Sequence, residues 1–284
     1  MPKIKKIFNV KVFIYINKYY SVVKSYFKKQ FLRKLILMEF STINESSLHK
    51  TLKVLYQEIY DGKTEVSQDG HIYDIVTKNG NIVEIQTKNL SRLLPKIQDT
   101  IEKGHNLKLV HPVIITNKII TYDQNGAILS SRKSPKKGSI YDIFREITGL
   151  IPVLLNPRFS LEIVEINLIE ERQKTSETVQ SRNGRRRFKK DWVKVNKRLD
   201  EIINTRRFNK AEDYLALLPP DLPEEFCAKD IKKSLADNKM APARISNNAN
   251  LIVWVLHKMG VIDFTRKSGN TRYYKPQITQ IFTD

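Results

Sequence analysis

Two acidic residues, Asp74 and Glu84, stand ten positions apart, each inside an apolar, β-prone run. A carboxylate on a half-buried strand destabilises the fold unless its charge is compensated, and a metal ion compensates it well. Lys78, Asn79 and Gly80 lie between the two runs and form a turn sequence that folds the second strand back on the first. The pair is therefore a candidate Mg²⁺ site on a β-hairpin.

The length of the turn decides whether the two carboxylates can share one face. A two-residue loop puts the acids on opposite faces, whereas a three-residue loop with a left-handed Gly80 pairs Asp74 with Glu84. Because strand side chains alternate, Gln86 then shares the face of Glu84, and Ile85 points into the core. The predicted site exists only in the second register.

The segments around this hairpin predict an α/β fold with a mixed sheet. Apolar and polar periodicity predicts a helix from about Asn44 to 60, strands at 64–68, 71–77 and 81–87, a helix at 91–103 and a buried strand at 107–116. Because a helical crossover links the last two strands, we expect them to be parallel. The predicted order is helix, three strands, helix, strand.

The second half of the chain predicts a different organisation. A hairpin (119–122 and 128–132), a helix (139–148) and a strand (161–168) complete a first domain, residues 38–170. Residues 171–218 predict a basic linker followed by helices at 192–205 and 210–217. Residues 219–284 predict two helices, at 228–236 and 246–259, and a basic hairpin at 261–266 and 272–275. That order is typical of a winged helix-turn-helix.

Composition favours a polyanionic partner. The chain has 284 residues, a formal net charge of +20 and a pI near 9.8, which suits nucleic acid or an anionic membrane. The single cysteine, Cys227, rules out an internal disulfide framework and favours a cytoplasmic protein.

Half of the net charge lies in residues 1–37, which hold ten Lys/Arg and no acid. No run there approaches the ~20 apolar residues of a membrane span. Two interpretations of this basic leader remain. It is either an extended start that precedes a domain beginning near residue 38, or an amphipathic helix at a membrane surface.

The order of elements, with Asp74 and Glu84-Ile85-Gln86 on the second and third strands, resembles the PD-(D/E)xK nuclease superfamily, the restriction-endonuclease-like fold. The likeness covers about residues 44–116. Three segments are more closely similar to an uncharacterised bacterial family with a C-terminal winged helix: 45–49, 84–87 and 132–136.

The resemblance implies a role for each residue of the site. Asp74, Glu84 and the Ile85 carbonyl are expected to bind Mg²⁺ or Mn²⁺, which activates water for attack on a phosphodiester. Gln86 stands where the superfamily has its lysine and supplies no cation, so Lys88 is the expected substitute. Glu45 is a further acid expected to reach the site from the first helix.

Alternatives to these roles remain open at the level of sequence. Acids on the outer face of a half-solvated hairpin are common, and a glutamate at a helix N-terminus is favoured by the helix dipole. His49, one turn after Glu45, is either a phosphate contact or an ordinary helix-surface residue.

Clusters of basic and amide side chains are candidate contacts for the nucleic-acid backbone or bases. They lie in a loop before a helix, in the basic linker, and on the predicted recognition helix and wing: Arg132, Lys133, Lys136 and Lys137; Arg185, Arg186 and Arg187; Arg244, Asn247 and Asn248; Arg266, Lys267 and Arg272.

The sequence therefore predicts Mg²⁺-dependent hydrolysis of DNA, most simply double-stranded, by a nuclease-like domain that a winged helix positions. Two alternatives are a catalytically inactive, nuclease-derived DNA-binding regulator and a membrane-surface or assembly protein that acts through residues 1–37. The sequence is compatible with a homodimer.

Overall fold

A computed structural model describes residues 47–181 and 184–277 of this chain. The basic leader and Glu45 lie outside the described residues. Within them, the structure begins with helix α1 (Ser47–Tyr60), followed by strands β1 (Lys63–Gln68), β2 (His71–Val76) and β3 (Ile82–Ile85). Leu48, Leu52 and Leu55 recur at helical spacing and are buried, so their apolar stripe fixes the inner face of α1.

After β3 the chain forms a short 3₁₀ turn and helix α2 (Leu94–Glu102), with Pro95 in its first turn, where a proline removes no helical hydrogen bond. Strand β4 (Leu107–Tyr122) then pairs in parallel with β3, as the crossover predicts. The first hairpin strand expected near Ile119 is the second half of β4, and strand β5 (Ile128–Lys133) returns along it.

The chain next forms a short helix, α3 (Ile143–Glu146), flanked by two 3₁₀ turns, and then its two longest neighbouring strands, β6 (Phe159–Val179) and β7 (Lys190–Phe208). The prediction of a linker over 171–190 followed by a helix over 192–205 is therefore wrong. These residues form a long antiparallel hairpin instead. Backbone pairing with β6 satisfies the amides and carbonyls of β7 along one edge, and this tertiary pairing overrides the weak local pattern of a mostly polar strand.

The C-terminal part contains four helices and a hairpin. The helices are α4 (Ala211–Leu215), α5 (Ala228–Asp237), α6 (Ala243–Ser246) and α7 (Ala249–Lys258), and the strands are β8 (Ile262–Ser268) and β9 (Thr271–Pro276). The helix predicted at 246–259 is present as α7, which begins at Ala249, and Asn247 and Asn248 separate it from the short α6. The predicted order of helix and basic hairpin at the end of the described chain is present.

Seven strands form one mixed sheet in the order β1-β2-β3-β4-β6-β7, and β5 pairs with the outer half of β4. Strands β3, β4 and β6 are parallel to one another, whereas the pairs at both ends of the sheet are antiparallel. The fold is thus α/β with a large mixed sheet, as predicted.

The two faces of the sheet are covered by different elements. On one face α1 packs across β1, β2, β3 and β7. On the other, Leu107, Leu109 and Ile163 belong to a hydrophobic core that also includes Ile97 of α2 and Leu256 of α7. The C-terminal helices therefore share the core of the sheet, and α1 is the helix of residues 47–181 and 184–277 that covers the opposite face.

No helix within the described residues is both long and apolar enough to cross a bilayer.

Candidate active site

The turn between β2 and β3 is the three-residue form. Gly80 closes it with a φ of 73°, a left-handed conformation that disfavours any side chain. Ile75 pairs with Val83, so Asp74 stands opposite Glu84. The predicted register is confirmed.

Asp74 lies at the centre of the candidate site, half-buried below α1. Its Oδ2 atom accepts the Ile85 amide at 2.9 Å and lies 3.6 Å from His49 Nε2, and its Oδ1 atom lies 3.2 Å from Lys53 Nζ. Burial raises the pKa of the Asp74 carboxyl, but His49, the Ile85 amide and the Lys53 charge outweigh it. The net pKa lies below the ordinary aspartate value, so Asp74 is ionised at neutral pH.

Glu84 is more deeply buried, with 5% of its surface exposed. Its Oε1 atom accepts the amide of Asp74 at 3.0 Å and the ammonium of Lys96 at 2.7 Å. Burial and then the charge of Asp74 raise the pKa of the Glu84 carboxyl, and Lys96 only partly offsets them. The two acids therefore titrate in opposite directions from their ordinary values, a split typical of functional pairs and of structural ion pairs alike.

The expectation that both carboxylates share one face is wrong. Asp74 meets side chains of α1, whereas Glu84 meets Lys96 of α2, and these helices cover opposite faces of the sheet. Asp74 lies beside an irregularity of the sheet, because Glu65, its neighbour in β1, has a φ of 54° and the pairing of β1 with β2 skips both residues. On the other side of β2, the Asp74 carboxylate accepts the Ile85 amide of β3.

The oxygen atoms of this site are of the type that binds Mg²⁺, and two of them also lie close together. Carboxylate and carbonyl oxygens are the ligands that Mg²⁺ prefers. Asp74 Oδ2 and the Ile85 carbonyl converge on one atom, His49 Nε2, which lies 3.6 Å and 2.9 Å from them. Glu84 does not converge on that point, and no group of three or more His, Cys, Asp or Glu within the described ranges is arranged to hold a metal ion.

The residues after β3 differ from the expected arrangement. Gln86 donates from Nε2 to the carbonyl of Lys88 at 2.8 Å, so its amide is turned along the chain. Because β3 ends at Ile85, Lys88 lies beyond the strand and is exposed. Lys88, the expected substitute for the superfamily lysine, therefore does not stand on the strand beside Glu84. Glu45 lies outside the described residues, and no position is assigned to it.

Two lysines that sequence reasoning missed are the partners of the acids. Lys53 lies one turn after His49 on α1 and is 8% exposed. Lys96 follows Pro95 on α2. The sequence offers a signal for Lys53, because it is a lysine beside the apolar stripe of α1 and lysines are seldom buried without a partner. It offers none for Lys96, which only the tertiary fold brings to Glu84.

The predicted nucleic-acid contacts fall into three groups in the structure. The loop after β5 is exposed throughout its basic positions, as a phosphate-binding loop requires: Arg132, Lys133, Lys136 and Lys137. These four side chains lie outside the buried core and the candidate site.

The second group lies at the turn of the β6–β7 hairpin. Arg186 is half-buried there, because its guanidinium stacks on Trp192 with 4.2 Å to the ring centroid and donates to two backbone carbonyls. Arg185 and Arg187 are exposed. Arg186 therefore has a structural role in the hairpin, and its two neighbours face solvent.

In the third group, two arginines form intramolecular ion pairs. Arg244 makes a two-pronged contact with Asp142 at 2.9 and 3.0 Å, and Arg266 donates to Glu225 at 2.8 Å. The remaining members are available on the surface or half-buried at the start of α7: Asn247, Asn248, Lys267 and Arg272. Arg244 connects the segment before α7 to the segment before α3.

Fold and site together define a mixed α/β protein with a paired-acid hairpin below a basic helix. The chain belongs to the family described as a domain of unknown function, DUF8091, which it matches over residues 46–209. It is 33% identical over 242 residues to an uncharacterized protein of Treponema pallidum (strain Nichols), an overlap of 84% of this chain and 88% of that protein. No solved structure matches the chain.

Proposed function

We propose that this chain is a nuclease that hydrolyses phosphodiester bonds of DNA in the presence of Mg²⁺ or Mn²⁺. The observation that carries the proposal is that Asp74 Oδ2 and the Ile85 carbonyl both face His49 Nε2, while Glu84 accepts the Asp74 amide beside them. Two oxygen ligands at the end of β3 suit a hard cation. The resemblance of the hairpin to the PD-(D/E)xK superfamily supports the same reading.

In this proposal Asp74 and the Ile85 carbonyl hold the cation in place of their contacts with His49 Nε2, and Glu84 supports Asp74 by accepting its backbone amide. The bound ion supplies an activated water and neutralises charge on the scissile phosphate. The chain's own residues prepare the site. The Ile85 amide and Lys53 keep Asp74 ionised and fixed, and the buried position of Glu84 keeps its oxygen atoms away from bulk water.

In this proposal Lys53 takes the role of the superfamily lysine that Gln86 replaces. Gln86 carries no charge, and its amide is committed to the Lys88 carbonyl. Lys53 instead places an ammonium 3.2 Å from Asp74, close enough to contact a phosphate held at that carboxylate. Its reach from α1 explains how the hairpin can lack the lysine of the superfamily pattern.

The proposal also gives the restriction-endonuclease-like core and the C-terminal winged helix their roles. The core carries the site, and the exposed surface of α7 and the β8–β9 hairpin contacts DNA, with Arg272 and Lys267 as backbone contacts. The net charge of +20 supports an anionic partner.

A second candidate function is DNA binding without cleavage. It is favoured by one specific observation, the pairing of each acid with its own lysine, Asp74 with Lys53 and Glu84 with Lys96. A site whose charges are already balanced does not need a metal for stability. In that case the fold serves as a regulator that binds and releases DNA.

Cleavage assays separate the two candidates. The full chain is incubated with supercoiled, linear and single-stranded DNA in Mg²⁺, in Mn²⁺ and in EDTA. We expect metal-dependent cleavage that falls at least about a hundredfold in Asp74→Asn and in Glu84→Gln. Asp99→Asn is the matched control, because Asp99 pairs with His71 and Lys103 away from the site, and it keeps full activity. Retarded DNA without metal-dependent cleavage contradicts the nuclease proposal and supports the regulator.

A further inference from the structure

A second cavity lies at the opposite end of α1 from the candidate site. Its volume is about 520 Å³, within the range of about 300–1,000 Å³ typical of small-ligand sites. It opens where the β2–β3 turn, the starts of β4 and β6 and the end of β7 meet. We call it the basic cleft, because it is lined by four cations and four asparagines, and no Asp or Glu among the described residues lines it: Lys78, Lys108, Arg158, Arg207; Asn79, Asn81, Asn106, Asn209.

The charges of the basic cleft do not balance. Lys108 and Arg207 share a single acid beneath the cleft, Glu162, at 3.0 Å and 3.6 Å. Burial raises the pKa of the Glu162 carboxyl, but the Tyr56 hydroxyl and Lys108 hold it below its usual range. Glu162 is therefore ionised and cancels only one of the two cations.

The remaining two cations differ from each other. Lys78 is paired with Asp61. The Arg158 guanidinium donates to the carbonyl of Gly104 at 2.7 Å, and within the described part of the chain no acid pairs with it. The cleft thus holds two positive charges in excess, one from the Lys108–Arg207 pair and one from Arg158.

We propose that the basic cleft binds a phosphorylated small molecule of mononucleotide size. A phosphate monoester carries a charge of about −1.5 to −2 at pH 7, which matches the excess charge of the cleft. Arginine forks and asparagine amides supply the donors that phosphate oxygens accept. Tyr60, which lines the cleft, lies under Lys108 and stacks on Tyr56, so it holds the Lys108 ammonium at the cleft wall.

This proposal does not depend on the nuclease proposal. The cleft lies at the start of β3, and the paired acids lie toward its other end. Helix α1 connects them, with Lys53 at the acids and Tyr60 at the cleft. A ligand in the cleft would contact α1, the helix whose Lys53 pairs with Asp74. It would contact no side chain of the candidate active site.

The test measures thermal stability and binding heat of the full chain with pyrophosphate, adenosine monophosphate, adenosine and a short DNA duplex. We expect the two phosphate compounds to raise Tm by about 5 °C at saturating concentration, and adenosine, which lacks a phosphate, to leave it unchanged. Arg207→Gln and Arg158→Gln should each weaken binding at least about tenfold.

Arg206→Gln is the matched control, because Arg206 precedes Arg207 on β7 and its side chain pairs with Glu165 on the opposite face. It should bind like the native chain, and so should Asp74→Asn. Failure of both phosphate compounds to bind overturns the proposal. Equal binding of adenosine, equal loss in Arg206→Gln, or binding of the DNA duplex alone also overturns it.

Discussion

The two ends of α1 differ in how their charges are compensated. Near its start, Asp74 and Glu84 each meet a lysine, and all four groups are mostly buried. Near its end, in the basic cleft, cations outnumber acids and most of them are exposed. The first region is stable without a ligand, whereas the second has charge left over for one. The comparison separates charges that hold this fold together from charges that are available for binding.

The largest expected effect comes from removing Lys53. Lys53→Met leaves Asp74 without its ammonium in a half-buried site, and we expect a loss of about 3 kcal/mol in the free energy of unfolding. Lys78→Met is the matched control, since Lys78 and Asp61 are 74% and 76% exposed and such pairs contribute at most about 1 kcal/mol. Urea titration at pH 7 measures both. Equal losses would remove the distinction between the two regions.

A slightly smaller effect is expected at the second acid. Lys96→Met should destabilise the chain by about 2 kcal/mol, because Glu84 stays buried with a charge that only the Asp74 amide contacts. Adding Glu84→Gln removes that charge and should recover most of the loss. The double variant, measured by the same titration, contradicts this account if it is less stable than Lys96→Met alone.

The pH dependence of stability tests Asp74 directly. Its folded pKa is lower than its unfolded value, so the carboxylate stabilises the native state above pH ~4 and this contribution is lost as the pH falls through the folded pKa. Asp74→Asn should therefore be less stable than the native chain by about 1–2 kcal/mol at pH 7, and the difference should shrink as the pH falls below the ordinary aspartate value. Thermal unfolding across that range measures the difference. A difference that grows on acidification would contradict the assignment.

The smallest effect is expected in the basic cleft. Arg158→Gln removes an exposed charge that has no acidic partner among the described residues, so the free energy of unfolding should change by no more than about 0.5 kcal/mol. The same titration measures it. A loss like that of Lys53→Met would mean that the cleft is a structural network.

The sequence predicted the hairpin well because its register depends on local chemistry. A left-handed Gly80 distinguishes the three-residue loop from the two-residue one, and in that register Ile85 points into the core, where it is buried. The parallel pairing of β4 followed from the length of its crossover. Each of these inferences uses residues close together in the chain.

The remaining features depend on contacts between distant residues. Residues 192–205 mix polar and apolar side chains on β7, and only Leu199 among them is buried, so pairing with the neighbouring strand is what makes them extended. Asp74 turns toward α1 beside Glu65, whose φ is 54°. A positive φ cannot be predicted from a glutamate in the sequence. The partners Lys53 and Lys96 come from two helices on opposite faces, and no spacing in the sequence links them to the acids.

The central claim is that Asp74 and the Ile85 carbonyl form a cation site. Calorimetric titration of Mn²⁺ into the full chain, Asp74→Asn and Asp99→Asn tests it most directly. The account predicts one bound Mn²⁺ per chain in the native protein and in Asp99→Asn, and none in Asp74→Asn. A native chain that binds no Mn²⁺, or an Asp74→Asn variant that binds it with native affinity, would contradict the account.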